Sequence, residues 1–150
     1  MNQFTNLTGN AVVLREKRIT QIIETIQGKQ RPAVSVKIAG EIKYKQTTVT
    51  ELGLLFQKAG FTVVDEKSDQ KPDVIITGNT VVADSEKTGG LFSCHAVVEL
   101  KAQDRMTGKI LVLDRQESVG VDIGKQTAAI AALESAADDL AERLLPLLAR

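Results

Sequence analysis

The chain has 150 residues, 43% hydrophobic and 25% charged, the balance of one ordinary globular domain able to bury its own core. Lys plus Arg and Asp plus Glu are equal at 19 each, and no basic run is interleaved with aromatics, which argues against nucleic-acid binding. No stretch approaches the ~20 apolar residues of a membrane-spanning helix. The lone Cys94 excludes an internal disulfide and a CxxC-type metal site while leaving the compartment open.

Residues 1–31 read as an N-terminal extension and residues 32–150 as a single α/β domain. In the extension, Asn10 can cap a helix running from about Leu14 to Gln27, with Ile19, Ile22, Ile23 and Ile26 on one stripe and Gly28 as its stop. Its first part, Ala11 to Leu14, reads equally well as a short strand. Val34, Val36 and Ile38 alternate with Ser35 and Lys37, which predicts a strand over 33–38. Thr48 and Glu51 have the spacing of a capping box and predict a helix that buries Val49, Leu52, Leu55, Phe56 and Ala59 and ends at Gly60. Phe61 to Asp65 follows as the next predicted strand.

From Pro72 to Gly120, three alternating segments joined by short polar turns predict an antiparallel meander. The middle strand, Leu91 to Gln103, places Phe92, Cys94, Ala96, Val98, Leu100 and Ala102 on one face. Ser93, His95, Val97, Glu99 and Lys101 fall on the other. The turn at Met106-Thr107-Gly108-Lys109 calls for a positive φ at Gly108 before a third strand from Ile110 to about Val121. A helix over Gln126–Leu148 presents Ile130, Leu133, Ala137, Leu140, Leu144 and Leu147, and tolerates Pro146 only near its end. The order (α)-β-α-β-β-β-β-α predicts an α/β two-layer sandwich, a mixed five-stranded sheet with helices on one face.

The candidate chemistry is sparse. Cys94 and His95 are adjacent, but neighbours on a strand point to opposite faces, so thiol and imidazole diverge and a Cys/His nucleophile is not expected. Thr88-Gly89-Gly90 leads into a strand rather than a helix, the setting of a hairpin turn and not of a phosphate cradle. Gly120, Gly124 and Lys125 precede the last helix and form a candidate anion site, although the P-loop spacing is not met. Asp138, Asp139, Glu142 and Arg143 are expected on the solvated face of that helix. Leu91, His95, Val97 and Glu99, on the polar side of the middle strand, form a candidate partner surface. No catalytic residue, metal ligand set or cofactor site is expected, so the chain reads as a non-enzyme. Its alternative reading is a small-ligand or anion-binding domain that uses the loop before the last helix.

The segments KPDVIITGNTVVAD, TGG, AVVELKAQDRMTGKILVLDRQESVG and AAIAALESAADDLAERLLPLL resemble a superfamily of bacterial envelope proteins. Its members include the curli secretion channel, the lipoprotein activators of penicillin-binding proteins and flagellar accessory domains. The opening RPAVSVKIAGEI and VTELGLLFQKAGFTVVDEK match its first strand, helix and second strand, so the resemblance covers about residues 32–148. The resemblance implies a non-catalytic, cofactor-free module with a protein partner in the cell envelope, periplasmic or outer-membrane-associated, and self-association into a homo-oligomer. A cytoplasmic location is the alternative expected from the sequence without a leader. The turns Asp84–Gly90 and Asp104–Gly108 are too short for the barrel-forming insertions of the curli channel, and no lipoprotein cysteine stands near Met1.

Overall fold

The computed structural model describes residues 16–65, 67–83 and 86–150. A helix over 16–25 (α1) precedes β1 (Val34–Ala39), α2 (Ile42–Lys58), β2 (Val74–Val82), β3 (Glu86–Thr88), β4 (Leu91–Asp104), β5 (Ile110–Asp122) and α3 (Lys125–Leu148). The sheet runs β1-β2-β4-β5, with β1 parallel to β2 and the other neighbours antiparallel. Short β3 continues the line of β2 along the same edge of β4: Val82 faces Ala96 and Glu86 faces Ser93. The architecture is the expected α/β sandwich with a mixed five-stranded sheet. The N-cap Asn10 and the segment Ala11–Leu14 lie outside the described residues.

The register explains which face is covered. Val34, Ile38, Val74 and Ile76 share one face of the sheet with Ala96, Val98, Leu100 and Ala102, all buried beneath α2 and α3. The alternation of β4 is thus read as written: Cys94, Ala96, Val98, Leu100 and Ala102 are all buried. Ile26, just past α1, is fully buried in the same core, and Ile19, Ile22 and Ile23 pack against it. Gln30 and Arg150 exchange backbone hydrogen bonds, tying the end of this segment to the end of the chain.

Two elements start or end where the residues alone did not predict. The first is the capping box, which does not form. Helix α2 begins at Ile42, only three residues after β1 ends, so Thr48 lies in its interior. The Thr48 side chain is buried, and its hydroxyl donates to the Tyr44 carbonyl at 3.0 Å. A threonine four residues before Leu52 shares the core face, so packing and a back-bond to the preceding turn replace the capping role. The second is Phe61–Asp65, which contributes one parallel bridge, Val34 to Val63, rather than a full strand. Phe61 is held by the end of α2 instead. Gly60 adopts φ +87, the Gly60 N–H donates to Gln57 O, and the Phe61 N–H donates to Phe56 O. These are the two reversed bonds of a Schellman ending, and the Phe56 and Phe61 rings complete it with an edge contact at 5.2 Å. The side chain that would have begun a strand is therefore turned into the core.

Helix α3 also buries a wider arc than its stripe predicts. Leu145 and Leu148 are fully buried whereas Leu147 is 63% exposed. Asp138, expected on the solvated face, is only 7% exposed. The reason is that α3 is covered on two sides, by the sheet and by α2. Its contact with β5 is unusually close. A Cβ on Gly120 would overlap the Ala128 carbonyl oxygen and the Ala132 amide nitrogen, both backbone atoms of α3. Farther along the same pair, Arg143 clasps β5: Nε donates to Asp114 Oδ2 at 2.7 Å, Nη2 to Asp114 Oδ1 at 3.2 Å, and Nη1 to Gln116 Oε1 at 2.9 Å. The Arg143 bonds hold the Asp114 carboxyl below its usual range, helped by the Arg115 amide and opposed by partial burial. The same pairing raises the Arg143 guanidinium.

Two stability measurements follow from this packing. Gly120→Ala must push α3 off β5, and is expected to cost about 2–3 kcal/mol and lower Tm by about 5–10 °C. Gly53→Ala is the control: a Cβ there meets nothing within 4 Å, and helix propensity alone should stabilise the fold slightly. Equal melting temperatures for the two variants would show that the close approach at Gly120 is not a constraint. For Asp114, a folded pKa below the unfolded one means that its stabilisation is complete above about pH 4 and is lost as pH falls through the folded value. Asp114→Asn should cost about 0.5–1 kcal/mol at pH 7 and flatten the acid limb of a stability–pH curve. An acid limb as steep as in the unsubstituted chain would rule out this contribution.

Candidate functional site: the open face of the sheet

The face opposite the helices is the place where the sheet meets solvent, and the strand register sets its pattern. Three rows cross it: Val81, Val97 and Glu117; Asn79, Glu99 and Arg115; Thr77, Lys101 and Leu113. Beyond the end of β2, His95 faces Val119 and Ser93 faces Val121. The four residues read from the sequence as a partner surface, Leu91, His95, Val97 and Glu99, therefore do lie on one side of one strand. Two loose side-chain contacts cross the strands here, an arginine–glutamate ion pair and a histidine–glutamate contact. Arg115 Nη1 lies 3.6 Å from Glu99 Oε1, and His95 Nδ1 lies 3.7 Å from Glu117 Oε1. All four of these side chains are more than half exposed, so the pairs orient charge more than they stabilise the fold.

Between these charges the apolar residues are Val81, Val97, Val119 and Val121, with Leu91 where β4 begins. Val81, Val119 and Val121 are each about half exposed, which is unusual for valine in a sheet. The reading of β4 alone missed them because they belong to its two neighbours. Their alternation was visible, but only the register places Val81 beside Val97 and Val119 beside His95.

Cys94 and His95 are separated by the sheet, as strand geometry requires. Cys94 is buried beneath α3, with its thiol 3.5 Å from the Lys125 carbonyl as donor, while His95 faces outward. Among the described residues no three His, Cys, Asp or Glu side chains stand together as a metal site. Nor is any described helix long and apolar enough to cross a membrane.

The candidate anion site is divided. Gly120 is buried in the sheet opposite Cys94, with its vacant side pressed on the backbone of α3. Gly124 is the N-cap of α3 and Lys125 its first residue. Gly120 is therefore a packing position and offers no surface for an anion, leaving Gly124 and Lys125 near the helix start. A cavity of about 680 Å³ opens beside them, where α2 and α3 both begin, lined by Glu41, Lys43, Tyr44, Thr80, Lys125 and Gln126 among others. Both helix N-termini favour negative charge there, but Glu41 offsets one of the two lysines. The buried Thr80 hydroxyl is already engaged, donating to Ala39 O at 3.2 Å.

No family model and no curated protein matches the chain. Solved structures do. The chain is similar to a Xanthomonas campestris protein of the family DUF330, with TM-score 0.57 and 13% identity over 79% of this chain and 83% of that one. It is similar to lipoprotein GNA1162 of Neisseria meningitidis, with TM-score 0.50 and 9% identity over 72% of this chain and 96% of that one. It is also similar to PelC of Paraburkholderia phytofirmans, solved as a dodecamer, with TM-score 0.51 and 12% identity over 81% and 94% of the two chains. At such identities the shared property is the fold. The resemblance to the curli channel and the penicillin-binding-protein activators is finer than these likenesses reach; what stands is the coarser statement, that the chain has a fold used by bacterial lipoproteins.

Proposed function

We propose that this domain is a non-enzymatic protein-interaction module of the bacterial cell envelope, and that the open face of its sheet is the contact surface. The observation that carries the reading is the set of outward apolar side chains Val81, Val97, Val119 and Val121, with Leu91 at its end, crossed by the His95–Glu117 contact and bounded on one side by the Arg115–Glu99 pair. Protein contacts combine exposed apolar side chains with polar and charged groups, and this face carries both. Solitary apolar side chains on a surface need no partner, but a contiguous set on a flat face does. The likeness of the fold to a bacterial lipoprotein supports the envelope, periplasmic or outer-membrane-associated, as its place. The dodecamer formed by PelC supports self-association as part of the same role. A module related to the curli-channel and penicillin-binding-protein-activator superfamily remains the finer assignment, on the sequence segments quoted above. The rival reading, anion binding at the start of α3, is weaker because Gly120 is withdrawn from that site and Glu41 opposes an anion.

A photo-crosslinking residue placed at Val97 in living cells tests the proposal. The expected outcome is a discrete product with an envelope protein, reduced at least several-fold by Val81→Asp or Val119→Asp on the same face. Products with cytosolic proteins alone, or a product unaffected by both substitutions, would overturn it.

A further inference from the structure

The edge of the sheet beyond β5 carries a second surface. The phase of the ladder fixes which backbone groups face it. The His95 carbonyl accepts from the Ala83 amide, so odd-numbered residues of β4 turn their backbone groups toward β2, and even-numbered ones toward β5. The odd-numbered residues of β5, from Leu113 to Val121, consequently direct their N–H and C=O groups outward. No described strand pairs with them. The strand is 13 residues long and contains no proline or lysine, two of the devices that usually blunt a free edge.

We infer that β5 is a homotypic pairing edge, joining a second copy of this chain antiparallel about a two-fold axis at Gln116. In that register Arg115 faces Glu117 of the second copy and Leu113 faces Val119, each contact occurring twice, and the ladder ends at the register shift that leaves Leu111 unpaired with β4. All these pairs are odd with odd, as the outward backbone groups require. The neighbouring registers with the same phase are centred on Arg115 or on Glu117, and each sets like charges directly against one another. Like charges opposed across strands are unfavourable, and unlike or apolar pairs favourable. The sequence Leu113-Asp-Arg-Gln-Glu-Ser-Val119 is thus self-complementary at one register and mismatched at the adjacent ones. Leu113, 69% exposed, and Val119 would be covered by this contact.

The free edge is guarded at its centre. Asp114 Oδ1 accepts from the Arg115 N–H at 2.8 Å, Gln116 Nε2 donates to Glu117 O at 3.0 Å, and Arg143 Nη2 reaches Arg115 O at 3.4 Å. Pairing exchanges these side-chain bonds for backbone bonds between copies. The Arg143 clasp accordingly sets the affinity as well as holding α3 on β5. This inference deepens the self-association part of the proposed function, but it is tested on purified chain, so it can fail while the envelope contact at Val97 stands.

Sedimentation across about 1 µM to about 1 mM should show a monomer–dimer equilibrium. Arg115→Glu and Glu117→Arg alone should each weaken the dimer about ten-fold or more, and the double exchange should restore it. Arg143→Ala, which frees the Arg115 carbonyl, should strengthen it. Circular dichroism melts verify that each variant is folded. Register is read independently by single cysteines, with buried Cys94 silent: Gln116→Cys should form a disulfide between copies, and Asp114→Cys and Ser118→Cys should not, because each faces the other's position rather than its own. A chain that is monomeric throughout overturns the inference and the self-association reading together. An oligomer that ignores the charge exchanges, or crosslinks without regard to position, overturns the inference alone.

Discussion

The arrangement of this domain depends on the close approach of α3 to β5 at Gly120. With no side chain at that position, the helix backbone lies directly on the strand, and Ala128, Ala129 and Ala132 are fully buried between them. An alanine-rich helix gains little from each side chain but can sit near the sheet, where dispersion contacts are dense. Farther along the pair the contact is polar: Asp114 and Gln116 face the helix side of β5 and are met by Arg143. A strand whose covered face carries Asp, Gln and Ser would read as solvent-facing, yet here it lies under a helix.

That placement decides where the molecule can act. Because both long helices share one face, the other face of the sheet is left to solvent among the described residues, and the residues on it are distributed by register across three strands. The two most reactive side chains in the meander, Cys94 and His95, fall on opposite sides of the sheet. The open face instead offers exposed apolar and charged side chains, on which the proposed contact rests.

The outer edge of β5 obeys a different rule. A long free strand is a hazard that most proteins suppress with charge, proline or cover. Here the suppression is local. Three side chains occupy the backbone groups of Arg115 and Glu117, whereas the apolar residues on either side are left exposed. A guarded edge with a self-complementary sequence is consistent with controlled pairing rather than with indiscriminate aggregation.

Much of this was legible in the residues alone. The alternation in β1, β2 and β4 determined those strands and their buried faces, because a period of two leaves each side chain only one of two sides, whereas β5 was legible as a strand but not in its covered face. Gly60 and Gly108 marked a helix end and a turn, and both take the positive φ those sites require. The divergence of Cys94 from His95 likewise followed from local geometry. What the sequence could not determine were the contacts between distant segments. Thr48 looked like a cap until the early start of α2 placed it in the core, and Phe61 looked like a strand residue until it closed on Phe56. Gly120 looked like part of an anion loop, and only the position of Ala128 and Ala132 shows that it is a packing glycine. Local pattern determines secondary structure and sidedness, since those arise from backbone sterics and the period of neighbouring residues. Which surfaces are covered, and hence where function can reside, depends on long-range packing that no single segment encodes.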